Sequence, residues 1–290
     1  MGRQALVAVS ACLVMTAAMA VFGMRPAHAS VPRRMDSASR PILLIHGNDI
    51  SGSAYDCNET WHAARTAIED SGWTGQLAMA GLYKGSKNCT YDYGGDKASS
   101  ITDLGRAAAW NIYHQFSKRG EPIDVITHSM GGLVIRAAIA GVAEHLPNWP
   151  PYLYVEDVAT LGAPHQGAAK AIGVCGVYST QCGEMAKGSR FLKTLPRNPQ
   201  SAMGTDWTLI GSVADTVVDY TSEIDEGHNE WAHKVDYPNY VSFSHSDLRL
   251  VTTGTYGLLS ENGTSRLEPI NFGASPVVVA KNALYWSSKW

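Results

Sequence analysis

The string Val125-Ile126-Thr127-His128-Ser129-Met130-Gly131-Gly132 holds, at short spacing, the residue types that nucleophilic chemistry needs. Ile123–Thr127 reads as a strand. Met130–Glu144, containing Leu133, Val134, Ala137 and Ala138, reads as a helix. Turning from strand to helix within one residue forces the central serine into a strained backbone conformation, with its hydroxyl held above the sheet. Small neighbours are needed there because strand and helix approach closely. Gly131 supplies one, Gly132 adds room, and Thr127 stands where the fuller G-x-S-x-G pattern has glycine. A neutral hydroxyl is a weak nucleophile, so Ser129 requires a base within hydrogen-bond reach. Histidine fills that role when a buried carboxylate holds its tautomer and stabilises its charged form.

Other elements must bring such partners to Ser129. Pro41–His46 is a short apolar run suited to a strand buried on both faces. Gln76–Leu82, Leu153–Leu161, Thr208–Gly211 and Asn239–Phe243 are further strand candidates, and Ser99–Phe116 has helical spacing. Strands alternating with helices indicate an α/β fold, a mostly parallel sheet flanked by helices. The long segment between Leu161 and Thr208 holds a Cys175–Cys182 loop, a helix over Glu184–Leu195 and a Pro196–Gly204 linker. Its length suits a cap or lid insertion over about 164–205, or a plain surface excursion.

With these motifs in order, the sequence resembles the secreted bacterial lipase and esterase branch of the α/β-hydrolase family. The His128-Ser129-Met130-Gly131-Gly132 turn matches that family's nucleophile elbow, and Leu43-Leu44-Ile45-His46-Gly47-Asn48 is similar to its strand followed by His-Gly. Thr160-Leu161-Gly162-Ala163-Pro164-His165-Gln166-Gly167 and Leu209-Ile210-Gly211-Ser212-Val213-Ala214-Asp215 resemble two further blocks, the second bearing the acid. The first block lies so early that a small version of the fold is implied, lacking the first two strands. The family order of serine, acid, histidine makes Asp215 the expected acid and His245 the expected base. Asp219 and Asp225 are runners-up that read as solvated loop charges, and His228 and His233 read as surface residues. His46, His128 and His165 precede the acid, so they are expected to hydrogen-bond loop backbone. The resemblance also names the Asn48 and Met130 N–H groups as the oxyanion hole.

What this implies is a serine hydrolase cleaving carboxylic esters, as a triacylglycerol lipase or carboxylesterase, through an acyl-enzyme on Ser129. The same machinery serves phospholipases, polyesterases and acyltransferases. The alternative from another class is a secreted binding protein that kept the fold without the chemistry. The expected substrate is an ester or lipid, with no cofactor and no metal. Asp247 matches an acid that calcium-binding relatives carry two residues after the histidine, but Val251 stands where they have glutamine.

The chain has 290 residues and a formal charge of −3. Residues 1–29 carry Arg3, an apolar run from Ala5 to about Met24, and an Ala27-His28-Ala29 ending. These are the marks of a secretory signal peptide cleaved after Ala29. A membrane anchor is the rival reading for that run, and Cys12 comes too early for lipoprotein processing. Residues 30–290 are expected to form a single domain, secreted and monomeric, with no stable membrane insertion. An acidic balance without a basic run argues against a nucleic-acid partner. Cys57, Cys89, Cys175 and Cys182 remain after cleavage. The short Cys175–Cys182 loop favours local pairing, which leaves Cys57–Cys89.

Overall fold

Ile42–Ile45 (β1) places an apolar side chain at every position, and all four are fully buried. Alternation along the strand sends Leu43 and Ile45 into one hydrophobic cluster and Ile42 and Leu44 into another. A strand buried on both faces must lie inside a sheet covered by helices. The computed structural model describes residues 1–2, 30–48, 55–169, 179–263, 266–285 and 289–290. Residues 3–29, which hold most of the expected signal peptide, and Cys175 lie outside them. Val31–Trp290 forms one compact unit.

Among the described residues the sheet has nine strands, in the order β3-β2-β1-β4-β5-β6-β7-β8-β9. They are β1, β2 (Leu77–Tyr83), β3 (Tyr91–Gly95), β4 (Ile123–His128), β5 (Val155–Leu161), β6 (Asp206–Ser212), β7 (His233–Tyr237), β8 (Thr255–Asn262) and β9 (Glu268–Ala274). Strands pair in parallel through β7, and β8 and β9 add an antiparallel margin. Helices α2 (Ile101–Gln115) and α3 (Gly131–Ala143) cover the face that carries Leu43 and Ile45. Helix α1 (Cys57–Asp70) and the helix Pro276–Ala283 cover the other. Asp56 starts α1 by accepting from Asn58 N and Glu59 N, and Ser100 starts α2 by accepting from Asp103 N.

Register decides where the loops emerge. Ile45 pairs with Thr127, Thr127 with Thr160, Leu161 with Ile210, and Ser212 with Tyr237. The residues following β1, β4, β5, β6 and β7 therefore leave along one edge. Strand order reverses between β1 and β4, which opens a crevice at that edge where ligands of such sheets bind.

Two sequence expectations are corrected. Asn239–Phe243 is not a strand: Pro238 precedes it, Asn239–Val241 is a single 3-10 turn, and Ser242 is left-handed with φ 58°. The strand before His245 is β7, whose polar His-Lys-Val-Asp-Tyr sequence reads as surface. Lys234 and Asp236 are nonetheless buried, and Lys234 sits opposite Glu261 with Nζ 3.6 Å from its carboxylate. The helix expected over Glu184–Leu195 is two short helices, Thr180–Met185 and Arg190–Thr194, interrupted where Ala186 is extended and Gly188 has φ 78°. Cys182 and Met185 of the first belong to the main core. The Cys57–Cys89 disulfide is present, and Cys182 is disulfide-bonded.

A buried ionic cluster sits at the start of the strands. Arg40 faces Asp124 at 3.5 Å and Glu156 at 2.5 Å, and its guanidinium also donates to the Met35 carbonyl. Removing that cation strands two buried acids, which costs about 3–5 kcal/mol. Arg40→Met should lower unfolding stability in urea by that order, and adding Asp124→Asn and Glu156→Gln should recover most of the loss.

Candidate active site

Ser129 occupies the turn between β4 and α3 with φ 56°. A non-glycine residue rarely adopts that conformation, and the cost is borne by the surrounding contacts. Its N–H donates to the Leu161 carbonyl at 2.9 Å, tying the turn to β5. Neighbouring strand ends crowd it. A Cβ on Gly131 would stand 2.5 Å from the Ile45 carbonyl, and one on Gly132 would stand 2.4 Å from Ala163 Cβ. On the other side, a Cβ on Gly47 would lie 2.6 Å from Ser129 Cβ and 3.1 Å from its Oγ. Side-chain-free positions thus surround the serine. Among the described residues its hydroxyl makes no hydrogen bond.

Asp215 follows β6 and His245 follows β7, and the structure brings the two together. His245 Nδ1–H donates to Asp215 Oδ2 at 2.5 Å, and the imidazole is 12% exposed. Asp215 Oδ1 accepts from Val217 N at 2.7 Å and Val218 N at 3.1 Å. Burial pushes the Asp215 carboxyl up, but the hydrogen bond to His245, the neighbouring Glu223 carboxyl, the His245 charge and the Val217 N–H outweigh it. The carboxyl is held below its usual range. The Asp247 carboxylate accepts from Ser244 N and Ser244 Oγ, fixing the turn that holds His245.

The other candidates lie elsewhere. Asp219 caps a short helix by accepting from Thr221 N. Asp225 is wholly buried rather than solvated, held by Arg197 at 2.9 Å and by the Trp231 indole at 2.6 Å. His228 is 4.0 Å from Glu230, and His233 opens β7 beside Asn262. His46 contacts the Gly47 carbonyl and accepts from Leu82 N. His128 Nε2–H donates to the His245 carbonyl at 2.9 Å, with ring centroids 4.6 Å apart. His165 pairs with the Thr160 hydroxyl. Burial drives both of these imidazoles down, His128 well below its ordinary value and His165 to about 3, so they are neutral.

Asn48 is clamped three ways. Tyr55 OH donates to its carbonyl at 2.9 Å, and its side-chain amide donates to Tyr83 OH at 3.1 Å and to Gln181 Oε1 at 2.6 Å. Gln181 is fully buried and donates in turn to the carbonyls of Asp96 and Ser99. Among the described residues the N–H groups of Asn48 and Met130 are engaged in no hydrogen bond. Gln181 and Glu223 escape sequence reasoning. Gln181 has no motif around it, and Glu223 is marked only as the end of a short helix that Asp219 caps. Asp215, Glu223 and His245 place ligand atoms within 4.8 Å, a spacing a metal ion could bridge, but the 2.5 Å His245–Asp215 contact leaves no gap between those two.

No family model and no curated protein matches this sequence. Solved structures do. Lipase B of Aspergillus fumigatus aligns with TM-score 0.51 at 13% identity, covering 74% of this chain and 51% of that one. A Bacillus licheniformis lipase in mature form aligns at TM-score 0.39 and 17% identity over 62% of this chain and 68% of its own. The esterase domain of a Rhodothermus marinus protein gives 0.38 and 20%, over 74% and 82%. This chain has the α/β-hydrolase fold. The bond from His128 to the His245 carbonyl is a neutral one, worth about 1 kcal/mol. His128→Ala should therefore lower kcat of any reaction using His245 by about fivefold to tenfold with little change in KM.

Proposed function

We propose that the protein is a serine hydrolase of carboxylic esters. Ser129 attacks the acyl carbonyl, His245 takes the hydroxyl proton and returns it to the leaving alcohol, and water then releases the acyl group. Asp215 keeps the proton of the resting imidazole on Nδ1, leaving Nε2 as the base, and balances the imidazolium. The Met130 and Asn48 N–H groups receive the developing oxyanion. One observation carries the reading: a serine at φ 56° at the end of β4, on the same sheet edge as a 2.5 Å His245–Asp215 pair. The unengaged hydroxyl is consistent with a contact that tightens when substrate binds.

The reading extends to an exported lipase or esterase acting as a single copy. The Ala27-His28-Ala29 ending supports export, and so does the Cys57–Cys89 disulfide, which persists in oxidising compartments. Among the described residues no helix is long and apolar enough to cross a membrane. All the groups assigned here come from one chain. Glycerides and simple carboxylic esters are the proposed substrates.

A fluorophosphonate probe should label Ser129 in the wild type and nothing in Ser129→Ala, which should also lose at least ~10³-fold in ester turnover. Wild-type turnover by that variant would defeat the proposal. A chain-length series of p-nitrophenyl esters should favour longer acyl groups for a lipase and short ones for an esterase. Product analysis with added alcohol or phospholipid separates acyl transfer and phospholipase activity. Gln181→Ala frees the Asn48 loop and should cut kcat about tenfold, with labelling slowed alike.

A further inference from the structure

Beside the Asp215–His245 pair lies a second carboxyl group that the reaction as written does not use. Glu223 is fully buried. Its Oε2 accepts from Ser212 N at 2.8 Å, and its Oε1 faces the pair, 4.0 Å from His245 Nδ1, with no donor reaching it. The sheet edge is shaped to receive this group. A Cβ on Gly211 would meet Glu223 Oε2 at 2.9 Å, and one on Gly162 would meet Oε1 at 3.0 Å and His245 Cε1 at 3.2 Å. Gly162 also has φ 64°, a conformation that side chains disfavour.

Two carboxyl groups whose oxygens lie within 4.8 Å of one another in a protein interior resist ionising together. Donor count decides which keeps the charge. Asp215 accepts two backbone N–H groups and the His245 Nδ1–H, whereas Glu223 accepts one backbone N–H. One oxygen of Glu223 lies within 4.8 Å of an Asp215 oxygen, and Glu223 Oε1 is buried without a partner, so a proton on Oε1 is what would join two groups that otherwise only accept.

We propose that Glu223 is a positioning residue, a permanently un-ionised carboxylic acid whose Oε1–H donates to the Asp215 carboxylate. The inference rests on the serine-hydrolase reading. The cluster then carries one negative charge at rest, and the imidazolium formed on His245 is balanced by one carboxylate rather than two. A second charge there would hold the imidazole protonated and unfit as a base. Burial and the adjoining Asp215 push the Glu223 carboxyl well above its ordinary range. The other titratable and charged groups facing the cluster are Asp236 from β7, His128 at the end of β4, and Arg249 from the helix Asp247–Leu250 beyond it. Asp236 is raised to about 7 by burial and then by Glu226, and adds to the pressure against ionising Glu223.

Glu223→Gln keeps a donor toward Asp215 and an acceptor for Ser212 N, while Glu223→Ala loses both. In the pH profile of kcat/KM, Glu223→Gln should follow the wild type to within about threefold, with its acid limb unmoved. Glu223→Ala should move that limb upward by about one pH unit, because Asp215 without its donor favours imidazolium more strongly. Equal limb shifts in both variants would overturn the proposal. Infrared difference spectra between wild type and Glu223→Gln give a readout free of activity and of the fate of the alanine variant. An un-ionised carboxylic acid band at neutral pH, lost in the glutamine variant, is expected, and a carboxylate band would overturn the assignment. Absent fluorophosphonate labelling of the wild type would instead strike the hydrolase reading, leaving the infrared result to decide the protonation of Glu223.

Discussion

The left-handed backbone at Ser129 is the constraint from which the rest of this edge follows. A helix that starts one residue after a central strand has to pass close to the ends of both neighbouring strands, and any side chain in its path would collide with backbone. Gly131 answers to the carbonyls of Ile45 and His46 at the end of β1, and Gly132 to Ala163 after β5. The bond from Ser129 N to the Leu161 carbonyl then fixes the turn to the sheet. Strain that would be costly alone is held by packing that is favourable everywhere around it. The same crowding lifts the serine side chain out of the core toward the crevice between β1 and β4.

Polar groups buried around the turn are settled by pairing rather than by exposure. Arg136, the one charged residue on α3, donates to the carbonyls of His165, Leu195 and Pro196 and lies over the Trp231 ring. Asp225 takes Arg197 and the Trp231 indole. Unpaired, each of these groups would cost several kcal/mol. Paired, they anchor the stretch after the two short helices to the body, and Gln181 performs the same service nearer the Asn48 loop.

What was legible in the sequence was local. β1, β4 and α3 each show as a mostly apolar run or a helical repeat, and their ends are read to within two residues. The elbow was readable because its signal, Ser129 with glycines following, is contiguous. The later chain was not readable in this way. β7 looks like surface because Lys234 and Asp236 break its apolar pattern, and only the strand opposite, which supplies Glu261, explains Lys234. Asn239–Phe243 has the composition of a strand, yet Pro238 and a left-handed Ser242 turn the chain instead. Gly162 and Gly211 were visible as parts of motifs, but the carboxyl they make room for sits in a different loop. Composition assigns residues to elements well and to one another poorly, since partners such as Glu223 and His245 meet only through the sheet.

The order of the strands also governs when the site comes into being. His128 and His245 are 117 positions apart, and Asp215 reaches His245 across 30. Each emerges from a different parallel strand, so none of their contacts can form within a single hairpin or helix. Parallel pairings at long sequence separation close large loops and assemble slowly. The chemistry is therefore among the last properties the chain acquires as it folds, and a partly folded molecule with most of its helices has no partial version of it.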